Sequence, residues 1–107
     1  MHTFTVRDLR EHTGDLIRSA ENGELSIITT HGTPVFVAVP FDEILLREGV
    51  SVALAIKLFD EQLISLSRAA RLAGLSVSAM IDMLGQHGIP VISTTDEDLE
   101  RELGDFS

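Results

Sequence analysis

The sequence predicts an α+β fold built as two small modules. Apolar residues recur at helical spacing over 6–20 and again over 50–86. Two β-branched runs, 25–30 and 34–39, flank the pair His31-Gly32, a hairpin signal. Gly49 separates the stretch that mixes strands with helices from one that is almost wholly helical. The expected modules are therefore 1–48 and 49–107.

Within the first module, residues 3–5 alternate and read as a short strand. Val6, Leu9 and Thr13 share one helical face, and Leu16, Ile17 and Ala20 continue it, with Gly23 as the stop. Residues 25–30 and 34–39 form the hairpin. Val35, Val37 and Val39 alternate with Phe36 and Ala38, so both faces of that strand are apolar and burial on both sides is expected. Pro40 ends it. Residues 41–47 then read as a helix with Asp42 and Glu43 at its positive end. The predicted order is β-α-α-β-β-α.

Residues 50–62 read as a helix that is apolar almost all round. Ser65 or Ser67 can cap a following helix through Leu72, Gly74 can take the left-handed turn, and Ser76 can cap a further helix over 77–86. Residues 88–92 read as a short strand. Residues 96–105 hold six acids against the single base Arg101, which suits a solvated tail, a weakly amphipathic helix or a segment that folds on a partner.

The run T-V-R-D-L-R-E-H-T-G-D-L, then A-E-N-G-E, then I-T-T-H-G-T-P-V-F-V-A-V-P resembles the Phd/YefM antitoxin family over residues 3–47. The resemblance implies a module that dimerises through its sheet and lays paired N-terminal helical regions on operator DNA. It makes Arg10 a DNA contact, with Arg7 beside it and His12 where the family commonly has Asn. The family often has Arg at the hairpin position held here by Thr30, next to His31. A hydroxyl can still bond a phosphate, and His31 adds charge only when protonated. Guanidinium suits the role, since it binds phosphate in bidentate fashion or reads guanine in the major groove. The plain alternative is that Arg7, Arg10 and Arg18 are surface residues paired with Asp8, Glu11, Asp15 and Glu21.

Residues 52–106 resemble a second family, small uncharacterised prokaryotic proteins regarded as antitoxin-like. The carrying residues are A-I-K-L-F-D-E-Q-L-I-S-L-S-R-A-A-R-L-A-G-L-S and, later, G-I-P-V-I-S-T-T-D-E-D-L. The resemblance implies a toxin partner, a PIN-like ribonuclease in preference to a RelE-like toxin. On spacing, Ala70 and Gly74 followed by an apolar helix also look like a helix-turn-helix. Yet residues 77–84 offer no base and one acid, so the chemistry for reading DNA is missing. Leu54, Leu58, Phe59, Met80, Ile81, Met83 and Leu84 are more apolar surface than so short a module can bury alone, which marks them for oligomerisation or toxin docking.

Bulk properties narrow the function class. The net charge is −9, spread over both halves, and opposes non-specific DNA binding. Any DNA contact must then use a local basic patch doubled by pairing two chains. The chain has no cysteine, no Gly-rich phosphate loop and no histidine pair at metal spacing, so neither an enzyme nor a cofactor is expected. No apolar run approaches the length of a membrane span and the N-terminus lacks signal-peptide character, so a cytoplasmic protein is expected. The combined expectation is a self-repressing antitoxin. The alternative is a protein-interaction adaptor or oligomerisation module without DNA binding.

Overall fold

A computed structural model of the chain describes residues 1–91. The chain divides into two compact units, Met1–Val50 and Ser51–Ser107. The first unit contains β1 (His2–Thr5), α1 (Val6–Glu11), α2 (Thr13–Glu21), β2 (Ser26–Thr30), β3 (Thr33–Ala38) and α3 (Glu43–Glu48), the predicted β-α-α-β-β-α order. The strands form one sheet in the order β1-β2-β3.

β1 runs parallel to β2, and a parallel neighbour needs a crossover, which α1 and α2 supply. Leu25 and Ile28 are fully buried. Ser19 of α2 and Ser26 of β2 are also buried, and their hydroxyls lie 3.3 Å apart, so α2 is tied to the sheet by a satisfied polar contact.

The hairpin turns on His31 (φ 51°) and Gly32 (φ 76°), with Thr30 opposite Thr33. Positive φ at both central residues is what a type I′ turn requires, and its twist matches that of the strands. Ile28 opposes Phe36 while Thr29 opposes Pro34, which leaves Val35 as an extra residue, a β-bulge. Pro34 is tolerated there because β3 is an edge strand.

Burial of β3 on both faces, expected from its apolar alternation, is not what the chain achieves. Val35, Phe36 and Val37 are 53%, 51% and 42% exposed. Only β2 pairs with β3 among the described residues, and within one chain the strand stays largely uncovered.

The helix α4 (Val50–Asp60), two residues shorter than the sequence suggested, belongs to the second unit from Ser51 on, and α5 (Leu66–Ala73) and α6 (Val77–Gln86) follow it. Ser65, not Ser67, caps α5, its Oγ accepting from the Arg68 N–H at 3.2 Å. Ser67 is buried inside the first turn instead. Ser76 caps α6 in the same way, accepting from the Ala79 N–H at 3.1 Å.

Gly74 ends α5 in the left-handed region (φ 71°, ψ 28°). The Leu75 N–H donates to the Ala70 carbonyl at 2.9 Å and the Gly74 N–H to that of Arg71 at 3.1 Å, the Schellman arrangement. α5 and α6 pack together through Leu66, Ala69 and Ala70 on one side and Val77, Met80 and Leu84 on the other. The small alanines permit a close crossing.

The strand expected over 88–92 is not formed among the described residues. Gly88 is part of a turn that closes α6, and 89–91 are irregular. Ile92 and the acidic stretch 96–105 lie outside the described residues.

Candidate functional site

α1 begins with a reciprocal cap. The Asp8 N–H donates to Thr5 Oγ1 at 3.0 Å, and the Thr5 N–H donates to Asp8 Oδ2 at 2.8 Å. Two backbone donors of a very short helix are thereby satisfied. The Asp8 carboxyl is held below its usual range, first by the Thr5 N–H, then by the Thr5 hydroxyl, with smaller help from the charges of His12 and Arg7.

That cap fixes where the predicted DNA contacts stand. Arg7 follows the start of the helix and is exposed, its Nε 3.3 Å from Glu11 Oε1. Arg10 lies one turn on, also exposed, with no acid in ion-pairing distance among the described residues. His12 joins α1 to α2. Its N–H donates to the Asp8 carbonyl at 2.7 Å, and its exposed ring has Nδ1 4.0 Å from Asp15 Oδ2.

Thr30 and His31 are exposed at the hairpin. Topology relates the two groups. Because β1 is parallel to β2 and Thr5 is in register with Thr29, α1 starts at the same end of the sheet as the hairpin turn. Arg7, Thr30 and His31 are thus displayed at one sheet end, with Arg10 farther along α1 and His12 just past its end.

The electrostatics of this end are modest. Arg7 pairs with Glu11 on its own helix, as Arg18 does with Asp15 on α2, farther from this end. Exposed pairs of this kind contribute roughly 0–1 kcal/mol. A phosphate can therefore displace a carboxylate at small cost, and Arg10 requires no such exchange.

The predicted partner surface divides. Leu54, Leu58, Phe59 and Met83 are half-buried and Ile81 is exposed. Met80 and Leu84 are fully buried and are core residues, not contact residues. The helical period explains the correction. Val77, Met80 and Leu84 share the face of α6 turned to α5, which leaves Ser78, Ile81 and Asp82 outside.

Two features escaped the sequence reading. One is the uncovered apolar strand β3; its signal was present, since a chain this short has too few layers to cover both faces of an edge strand. The other is an open hollow of about 320 Å³ on α5, lined by Ile64, Arg68, Arg71 and Leu72. Helical spacing of these residues could have shown it.

Among the described residues, no group of three or more histidines and acids is placed to hold a metal ion. No helix there is long and apolar enough to cross a membrane.

A family model described as "Uncharacterised protein family (UPF0175)" matches residues 35–106. The match contains the whole C-terminal segment singled out above and reaches back to the bulged residue Val35, whereas residues 1–34 lie outside it. No curated protein and no solved structure matches the chain. The matched span is more than half of the 107 residues, and the chain belongs to the uncharacterised protein family UPF0175.

Proposed function

We propose that this protein is the antitoxin of a type II toxin–antitoxin pair, a homodimer or higher oligomer. In this reading the first unit binds operator DNA and represses the protein's own operon. The second unit binds and neutralises a toxin, a PIN-like ribonuclease. No catalytic role is proposed.

The observation that carries the DNA half is the shared sheet end. There the start of α1, with Arg7, and the Thr30–His31 turn lie together, and unpaired Arg10 follows on the same helix. The exposed apolar residues of β3 support dimerisation, because a second copy would cover them and double the few basic residues. Doubling matters for so acidic a chain, since affinity for DNA rises with the number of phosphates neutralised. The toxin half rests on the C-terminal resemblance and on half-buried Leu54, Leu58, Phe59 and Met83 with exposed Ile81.

Fluorescence anisotropy with the DNA upstream of the protein's own gene, and co-expression with the adjacent reading frame, test the two halves separately. Salt-dependent binding and rescue of growth are expected. Binding no tighter than to unrelated DNA would remove the repressor role, and an unaffected toxic neighbour would remove the antitoxin role.

A second reading, an adaptor that does not bind DNA, has its own observations. Arg7 and Arg18 are engaged by acids, and Thr30 stands where the Phd/YefM family that residues 3–47 resemble often has arginine. The same anisotropy experiment separates the two readings.

A further inference from the structure

His12 is the single residue between two helices, and its backbone serves both. Its N–H donates to the Asp8 carbonyl at 2.7 Å and closes α1. Its carbonyl accepts from the Asp15 N–H at 3.1 Å and from the Leu16 N–H at 3.4 Å, which opens α2. The backbone angles at His12 (φ −129°, ψ 38°) belong to neither helix, so the helical path breaks there. His12 is also the N-cap of α2, yet its side chain makes no capping hydrogen bond. Serine, threonine, aspartate or asparagine would cap better, so the imidazole calls for another role.

The ring's surroundings supply one. Nδ1 lies 4.0 Å from Asp15 Oδ2 on α2. On α1, the Asp8 carboxyl is held low first by the Thr5 N–H and hydroxyl, and the charge of His12 lowers it further. One carboxylate of each helix therefore faces the ring. The other charges of the two helices near it are engaged, Arg7 by Glu11 and Arg18 by Asp15, apart from Arg10. Of the strands packed on α1, β2 carries no titratable side chain and β1 only His2, which pairs with Glu24. The positive start of α2 opposes a charge on the ring, and Asp15 in that first turn offsets it.

We propose that His12 is a positioning residue for the DNA contacts of α1: its imidazolium bridges Asp8 on α1 to Asp15 on α2 and so sets the angle at which Arg7 and Arg10 leave the elbow. The proposal rests on the DNA-binding reading given above. Neutral imidazole leaves the two carboxylates facing each other without a cation, and the elbow opens. The change falls between about pH 5 and 8, where histidine gains and loses its charge. An exposed bridge contributes roughly 0–1 kcal/mol, so its effect on affinity is at most about five-fold.

Two measurements on the full chain test the bridge. Residual dipolar couplings of the free protein should show the angle between α1 and α2 changing from about pH 8 to about pH 6. His12→Gln should abolish that change, and His31→Gln, which removes the histidine of the hairpin, should leave it in place. With duplex DNA from upstream of the protein's own gene, fluorescence anisotropy at constant salt should report affinity rising roughly two- to five-fold over the same interval. The rise should shrink in His12→Gln and equally in Asp15→Asn, which keeps the imidazole and removes one end of the bridge. A rise lost in His12→Gln but kept in Asp15→Asn would make His12 a direct phosphate contact and overturn the bridge. A constant angle between the helices would overturn it as well. Absence of DNA binding at both pH values, with the angle still following His12, would remove the DNA reading and the positioning role while the bridge itself stands.

Discussion

Thr5 and Asp8 exchange hydrogen bonds in both directions across the first turn of α1, each backbone N–H donating to the other's side chain at 2.8 and 3.0 Å. A helix of six residues has too few internal bonds to hold its own start, so this exchange does so. It also fixes the direction in which Arg7 and Arg10 leave the end of β1. The cap is therefore structural in itself and functional through what it aims.

The exchange gives α1 a defined response to acid. The Asp8 carboxyl sits below its ordinary value of 3.8 when folded, so the unfolded chain binds its proton more readily. Its contribution is in place above that value and is lost as pH falls through the lowered one. On acidification below about pH 4 the Thr5 and Asp8 amide resonances should move together, tracking protonation of this carboxyl. Asp8→Asn should flatten that transition. An unchanged titration in the variant would show that another group drives it.

Arg10→Ala should weaken binding to operator DNA and flatten its salt dependence. Each phosphate contact contributes about 0.9 to the slope of log K against log salt, so loss of one contact per chain lowers a dimer's slope by about 1.8. Arg18→Ala is the comparison, since Arg18 is paired with Asp15 on α2. Equal slopes for the parent protein and Arg10→Ala would dissociate Arg10 from DNA.

The parts of this fold that were legible in the sequence are those set by one residue's chemistry at a fixed offset. His31-Gly32 names the turn because few residue pairs accept positive φ twice in succession. Gly74 and Ser76 name helix ends because only short oxygens and a missing Cβ serve there, whereas the start of α5 could be narrowed only to Ser65 or Ser67. The exposure of Phe36 was not legible, because apolar alternation reports that a strand seeks cover and not whether its own chain supplies any. Met80 and Leu84 were misjudged for a related reason. Nearly every position from Val77 to Leu84 is apolar or small, so the phase of α6 is fixed only once α5 packs against it. Of the candidate DNA site, the residue types were readable. The shared sheet end was not, since it depends on the parallel pairing of β1 with β2.

Phe36→Asp tests what covers β3. Phe36 is half exposed in the single chain, so the unit itself should tolerate the change, whereas a second copy seated on that strand should not. Light scattering should report a shift from dimer to monomer with far-ultraviolet circular dichroism preserved. An unaltered mass would place the dimer contact elsewhere.

Gln62 adopts φ 62° at the end of α4, where the Leu63 N–H reaches the Leu58 carbonyl at 2.9 Å. The left-handed conformation costs an L-residue roughly 1–2 kcal/mol, and glycine avoids that cost while adding about 0.5–1 kcal/mol of chain entropy to be lost on folding. Gln62→Gly should thus stabilise the protein by about 0.5 kcal/mol, read as a higher midpoint in urea. A lower midpoint would show that the Gln62 side chain contributes more than the turn costs.

Met80 and Ile81 are neighbours with opposite expected behaviour. Met80 is fully buried between α5 and α6, so Met80→Ala should destabilise the second unit by about 2–5 kcal/mol whatever the partner does. Ile81 is exposed on the next position of the helix, 38% accessible, and Ile81→Asp should leave the urea midpoint nearly unchanged. If α6 offers its outer face to a toxin, Ile81→Asp should lose neutralisation of the co-expressed toxin while the protein stays folded, because a carboxylate buried in an apolar contact is strongly disfavoured. Full neutralisation by the folded Ile81→Asp protein would move the contact off α6, toward half-buried Leu54, Leu58 and Phe59 of α4.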